Sequence, residues 1–233
     1  MKTTVVKGLP RKVGLANIIW FRRKDRLPSI HKGTIRLRGG NGPEFYPLMG
    51  GEQFLYRLYP EDQRDYIWFG GTDSKAVFLT TLKPEAFQAY LNGGETSFYE
   101  ALKPPVIARA ELFWGKEKTR RQGDFFVFPL PLGWHELFSE WRKNCTNKTF
   151  HVDYGSHRIL RTRHELYGYL FEGNFILDGI GKLYASNYGY SDSYPRMVLG
   201  EGTLKAPDHE PIELKGPHII AQAYLIHTPS DSD

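Results

Sequence analysis

The chain has 233 residues, 40% of them hydrophobic and 15% aromatic, and carries a net charge of +5. This length and composition predict a folded interior and exclude a mainly disordered chain. The single cysteine, Cys145, excludes an internal disulfide and a cysteine-rich zinc site. Because the first residues lack a signal-peptide core and no stretch approaches the length of a membrane span, we expect a cytoplasmic protein without a membrane partner.

The positive charge is concentrated at the start of the chain. Residues 1–38 hold eleven Lys or Arg side chains against the single acid Asp25, which gives +10, while the remaining residues sum to −5. Such asymmetry indicates a polyanionic partner, because cations placed against phosphates release condensed counterions. A solvated basic face, or an acidic protein surface that covers it, explains the same charges.

Within this basic region the sequence predicts elements that tie it to the fold. The apolar run Val13–Phe21 is long enough for a strand or a short helix, and its period does not distinguish them. The segment 33–38 alternates, which predicts a strand with Ile35 and Leu37 on the buried face and Arg36 and Arg38 on the outer face. Gly39–Pro43 then predicts a loop.

The next elements are two strands and two helices. Gln53–Tyr59 and Asp65–Phe69 are aromatic-rich runs that we interpret as a hairpin. A helix is predicted from Pro84 to Leu91, stopped by Gly93-Gly94, and a second begins at Ser97 and ends at Pro104-Pro105.

The second half is predicted to be mostly strands. Asp124–Phe128 has the continuous apolar pattern of a buried strand, and Trp134–Lys143 that of a short amphipathic helix. Further strands are predicted at Phe175–Ala185, Arg196–Leu204 and His218–His227. The pattern predicts a strand-rich α+β fold: a basic mixed α+β unit at 1–105, a mainly antiparallel β module at 106–228 and a flexible tail at 229–233.

Two short motifs carry a resemblance. The run Arg121-Gln122-Gly123-Asp124 opens a strand, and the turn Asp208-His209-Glu210-Pro211 lies near the end of the chain. Together with His157 and Arg161, these motifs make the second half similar to small uncharacterised bacterial and phage proteins with an RQGD strand and a DH-x-P turn. The resemblance implies a β-rich module of phage or mobile-element origin. It does not indicate a particular activity.

Histidine and arginine are densest between positions 151 and 165. If the segment bends, His157 and His164 can converge with Arg161, an arrangement suited to phosphodiester cleavage. One neutral imidazole takes a proton, the other donates one, and the guanidinium holds the developing negative charge. Ordinary surface or hydrogen-bonded histidines explain the same residues.

Other sites are weakly indicated. His151, Asp153, His157 and His209 are chemically suited to zinc or manganese, but no HxxxH or HExxH spacing supports a site, so we predict no metal. Phosphate-binding loops, dinucleotide-binding turns and nucleophile elbows are absent from the sequence, and we predict no cofactor. The tyrosine-rich stretch Tyr184–Tyr194 favours either base stacking or a protein contact.

Three functional hypotheses follow. The first is binding of nucleic acid, RNA or single strands rather than duplex readout, because aromatic residues accompany the basic ones and no recognition helix is visible. Its contact residues are predicted to be Arg22, Arg23, Lys24, Arg26, Lys32, Arg36, Arg38, Tyr188 and Tyr190. The second is a metal-independent phosphodiesterase or nuclease that uses His157, Arg161 and His164. The third is a non-catalytic assembly factor that binds another protein.

Overall fold

The computed structural model describes residues 11–13, 16–21, 28–38, 44–48, 51–58, 66–73, 76–144, 152–160, 162–171, 175–185, 197–207, 209–223 and 226–227. The chain divides into two compact units, Met1–Leu102 with Leu225–Asp233, and Lys103–Tyr224. The domain limits predicted from the sequence stay predictions, because a division by contacts does not test independent folding.

Strands outnumber helices throughout the described residues, which confirms the strand-rich α+β fold. The strands are β1 (Lys12–Val13), β2 (Ala16–Phe21), β3 (Ser29–His31), β4 (Thr34–Arg38), β5 (Glu44–Leu48), β6 (Gln53–Leu58), β7 (Tyr66–Asp73), β8 (Ala76–Leu82), β9 (Arg120–Gln122), β10 (Phe125–Pro129), β11 (Asp153–Arg158), β12 (Glu165–Phe171), β13 (Phe175–Leu177), β14 (Leu183–Ala185), β15 (Met197–Ala206), β16 (His209–Gln222) and β17 (Ile226–His227). The helices are α1 (Pro84–Leu102), α2 (Pro105–Trp114) and α3 (Trp134–Asn144). None of the described helices combines the length and apolarity that a bilayer crossing requires.

A small sheet of order β1-β2-β4-β3 holds the basic region in the first unit. Ile35 and Leu37 are fully buried, which confirms the predicted alternation of β4, and Val13 and Ile18 join them in the core. The same core cluster contains Phe54 and other residues of β5, β6 and β7, so the small sheet packs on the larger one. Apolar side chains therefore anchor the described part of the basic segment.

The larger sheet of the first unit has the order β17-β8-β7-β6-β5. Its β6–β7 pair is antiparallel, as predicted for a hairpin. Helix α1 lies against this sheet, with Phe98 at 5.1 Å from Phe69 between ring centroids. Gly94 has φ 74° and ψ −158°, values outside the helical region, and thus interrupts α1 where Gly93-Gly94 predicted a break.

The second unit is built on a six-stranded antiparallel sheet of order β11-β12-β15-β16-β10-β9. The long strands β15 and β16 shift register between Gly200 and Gly202, and such bulges bend a sheet. The bend brings the start of β16 to β9, where Arg120 Nη2 donates to the carbonyl of Glu213 over 2.7 Å. One side of the sheet carries a core cluster that includes Phe125, Leu166 and Ile220.

Part of the outer side of this sheet is covered by α3. Phe138 and Trp141 of α3 lie at 5.8 and 5.1 Å from the ring of Phe171 at the end of β12. The indole of Trp141 donates to the carbonyl of Leu183, which fixes the helix to β14.

Three predictions of secondary structure differ from the structure. The predicted strand His218–His227 is divided between the end of β16 and β17, which belong to different sheets. The prolines Pro104 and Pro105 do end α1, but Pro105 also begins α2, because proline is pre-organised for the first helical position. The apolar stretch 175–185 is a hairpin rather than one strand: Asp178 accepts hydrogen bonds from the backbone of Ile180 and Lys182 and so folds the chain back.

Candidate functional site

The outer side of the second unit's sheet carries three exposed tyrosines. Tyr167 and Tyr169 alternate with the buried residues Leu166, Gly168 and Leu170 along β12, so both side chains lie on the outer side. The register of β11 places Tyr154 opposite Tyr169. Their exposed fractions are 62% for Tyr154, 54% for Tyr167 and 44% for Tyr169, which is high for such large rings. We call these three residues the tyrosine cluster.

The rings of the tyrosine cluster contact one another. Centroids of Tyr154 and Tyr169 are 4.9 Å apart, and those of Tyr154 and Tyr167 are 5.9 Å apart in an edge-on arrangement. The side chain of Tyr154 is hydrogen-bonded to that of Tyr167, and this bond, with the nearby phenols, raises the pKa of Tyr154. The contacts restrict the rings, so the cluster presents a preorganised aromatic surface.

A row of glycines lies behind the cluster. Gly155, Gly168 and Gly202 are register partners on β11, β12 and β15. Gly168 and Gly202 have φ of 152° and 129°, and a Cβ on either would clash with the neighbouring strand's backbone. Glycine therefore permits the close approach and local bend of the strands here.

Charged groups of both signs lie around the cluster. Glu165 pairs in register with Arg158 on one side and Lys205 on the other. Glu201, opposite Tyr169, accepts a 2.6 Å hydrogen bond from the indole of Trp134. The surface is thus aromatic and nearly neutral, with donors and acceptors at its rim.

Such a surface can bind flat or ring-shaped groups. Exposed tyrosines stack against nucleic-acid bases or sugar rings, and their hydroxyls donate and accept hydrogen bonds. Tyrosine is also common at protein contacts.

No protein-family model, curated protein or solved structure matches this chain. The resemblance to small bacterial and phage proteins therefore stays a prediction.

The two motifs behind that resemblance meet in the structure. Gly123 and Asp124 form the two-residue turn between β9 and β10, and Gly123 has φ 59°. His209, from the second motif, packs on Gly123, and the side-chain amide of Gln122 donates to the backbone carbonyl of Glu210. Asp124 accepts a 2.7 Å bond from Gln222. These contacts give both motifs a structural role in closing the bent sheet.

The predicted catalytic residues have separate environments. The ring of His157 lies with Nε2 at 3.1 Å from the backbone oxygen of Asp153, four residues back on its own edge strand. His164 is 6% exposed and packs at 4.4 Å from Phe125 and 6.0 Å from His209 between ring centroids. Arg161 lies outside the described residues. The catalytic assignment stays a prediction, and the burial of His164 does not favour it.

The predicted nucleic-acid contacts are only partly described. Lys32 is exposed at the tip of the β3–β4 hairpin with φ 47°, and Arg36 lies on the outer face of β4. The backbone of Arg38 ends β4. Six of the predicted contact residues lie outside the described residues: Arg22, Arg23, Lys24, Arg26, Tyr188 and Tyr190. Of the tyrosine-rich stretch, Tyr184 is described, with Lys182 Nζ 5.1 Å from its ring centroid.

The candidate metal ligands do not form a site in what is described. Among the described residues, no group of three or more His, Cys, Asp or Glu side chains is arranged to hold a metal ion. His151 lies outside them.

Sequence reasoning missed the tyrosine cluster. The alternation of Tyr167 and Tyr169 with Leu166, Gly168 and Leu170 was a visible signal of an outward-facing aromatic row. The contribution of Tyr154 depends on the β11–β12 register, which the sequence does not specify on its own.

Proposed function

We propose that this protein binds single-stranded nucleic acid, with bases stacked on the tyrosine cluster. The observation that supports the proposal is the exposure of three mutually contacting tyrosine rings on a sheet. Stacking on such rings is worth about 1–3 kcal/mol per base and tolerates every base, because each base has a π-face. RNA or unpaired DNA is the substrate class, since bases in a duplex are already stacked.

Charge supports the same partner. Residues 1–38 carry a net charge of +10, and the described residues Val13, Ile18, Ile35 and Leu37 among them are buried. The described cations Lys32 and Arg36 are thus carried on a fixed sheet that phosphates can contact. Reversing the charge of Arg22, Arg23 and Lys24 together should flatten the salt dependence of binding. Unchanged affinity in that variant would remove this segment from the proposal.

The decisive experiment distinguishes the contribution of each tyrosine ring to binding from that of its hydroxyl group. Binding of a labelled oligouridylate of about ten nucleotides is measured by fluorescence anisotropy for Tyr167→Ala and Tyr169→Ala, with Tyr167→Phe and Tyr169→Phe as matched controls. Each alanine variant should weaken binding by about 1–3 kcal/mol, whereas the phenylalanine variants keep the stacking surface and should bind nearly as tightly. Equal affinity of the alanine variants and the unaltered protein would refute the assignment.

A protein partner is the competing outcome of the same work. If the protein elutes with a stable protein partner and retains no nucleic acid at low salt, the tyrosine cluster is a protein contact and the assembly hypothesis replaces this proposal.

A further inference from the structure

One side of helix α3 forms an open cavity next to the covered part of the sheet. Its volume is about 390 Å³, within the usual range for small-ligand sites. Among the described residues, the lining side chains come from α3, and four of them follow the i, i+3, i+4, i+7 spacing of one helix face. They are His135, Phe138, Ser139, Arg142 and Lys143. We call this the α3 cavity.

The α3 cavity is cationic. Lys143 pairs with Glu140 over 2.6 Å, and that partner lowers the pKa of Glu140, so the carboxylate is already engaged. Arg142 is exposed and, within the described part of the chain, has neither a hydrogen bond nor an ion pair. Its planar guanidinium can therefore donate two parallel hydrogen bonds to an incoming oxyanion. Ser139, one turn earlier, adds a hydroxyl donor.

Aromatic rings connect the cavity with the tyrosine cluster. Phe138 lines the cavity and lies 5.8 Å from Phe171 between centroids. Phe171 follows Tyr169 by two residues on the same face of β12, a separation of roughly 7 Å along a strand. Trp134, at the start of α3, bonds to Glu201 opposite Tyr169. A cationic pocket and a stacking surface thus adjoin on one side of one unit.

We propose that the α3 cavity binds a phosphate of the same strand whose bases stack on the tyrosine cluster. This inference rests on the proposed function and assigns the two chemical parts of the ligand to two places. Arg142 clamps the phosphate oxygens, Ser139 donates to them, and Phe138 packs against the neighbouring sugar or base. The tyrosine rings carry no positive charge, and Arg142 supplies one in the cavity.

The test compares salt dependence rather than affinity alone. Binding of the oligouridylate is measured over a series of salt concentrations for the full chain, for Arg142→Gln and for Lys118→Gln, an exposed cation on the turn after α2. Arg142→Gln should bind several-fold more weakly at low salt, and its plot of log K against log salt should be flatter by about 0.7, the loss of one phosphate contact. Lys118→Gln should match the unaltered protein in both respects. An unchanged slope in Arg142→Gln, with stacking lost in the tyrosine variants, would overturn the cavity assignment alone.

If no oligonucleotide binds, a titration with inorganic phosphate distinguishes the two proposals. In that case the stacking proposal fails, and phosphate is titrated while NMR signals of the Arg142 guanidinium and the Ser139 amide are followed. Saturable shifts that vanish in Arg142→Gln would keep the anion site. Absence of such shifts would overturn it as well. Thermal unfolding of Arg142→Gln and Lys118→Gln checks that the fold of each variant is intact.

Discussion

Gly123 lies so close to the imidazole of His209 that a Cβ at position 123 would come within 2.5 Å of its Nε2 atom. The contact joins the turn between β9 and β10 to the start of β16. It therefore fixes the closure of the bent sheet on which the tyrosine cluster lies.

Replacement of Gly123 by alanine should destabilise the protein by about 1–3 kcal/mol, because φ of 59° is strained for alanine and the methyl group meets the His209 ring. Chemical denaturation measures the change. Gly179→Ala is the matched control, since a Cβ at that position has nothing within 4 Å. Equal losses in the two variants would contradict the structural role of this contact.

A nearly buried ion pair connects the start of the second unit with α2. Lys103 Nζ lies 2.8 and 2.9 Å from the two carboxylate oxygens of Glu111, and the side chains are 10% and 8% exposed. Glu111 also accepts a 2.5 Å bond from the hydroxyl of Thr119. Glu111→Gln should cost about 3–5 kcal/mol, because it leaves the ammonium group buried without its counter-charge.

The double variant Lys103→Met, Glu111→Leu should be less harmful than Glu111→Gln, since it removes both charges and keeps apolar volume. Urea denaturation of the single and double variants decides this. If the double variant is as unstable as Glu111→Gln, the ion pair itself stabilises the fold, and its charges do more than compensate for each other's burial.

His218 should make stability depend on pH. Burial lowers the pKa of His218, and Arg120, with Nη2 at 3.5 Å from the ring Nε2, lowers it further; the Nδ1 atom lies 2.8 Å from the carbonyl of Gly216. The unfolded chain therefore takes up this proton at a higher pH than the folded one, and stability falls as pH drops below about 6.5.

The contribution of His218 is isolated by comparison with His218→Gln. Denaturation midpoints between about pH 7 and pH 5 should fall less steeply in this variant, because the group that protonates on unfolding is gone. Parallel slopes for the two proteins would show that other groups carry the acid sensitivity.

Tyr154 should titrate at higher pH than an isolated tyrosine. Its hydrogen bond to Tyr167 is the main cause of the raised pKa. In Tyr167→Phe the pKa of Tyr154 should return toward about 10, as measured from the ring carbon signals of labelled tyrosine during an alkaline titration. No change in that variant would mean that the two hydroxyls are not bonded in solution.

Local signals in the sequence predicted much of the fold. Ile35 and Leu37 alternate with polar residues and are buried, and Gly93-Gly94 marks the interruption of α1. The apolar stretch 175–185 was predicted wrongly as one strand, because the turn at Asp178 depends on side-chain bonds to the backbone that apolar patterning does not show.

The candidate site was less predictable for a physical reason. The tyrosine cluster joins residues on two strands, and a register shift of one residue would turn every side chain of β11 to the other face. His164 was predicted at a reactive position because histidine and arginine are dense there, yet its burial against Phe125 is set by packing between distant segments.

Ring signals of the tyrosines report whether bases stack on the tyrosine cluster. The full chain with labelled tyrosine rings is titrated with oligouridylate, and signals are assigned with single Tyr→Phe variants. Stacking should produce saturable upfield shifts for Tyr154, Tyr167 and Tyr169, while the buried rings of Tyr46 and Tyr56 stay unchanged. Saturable binding that leaves the three cluster signals unmoved would show that the bases do not stack on these rings.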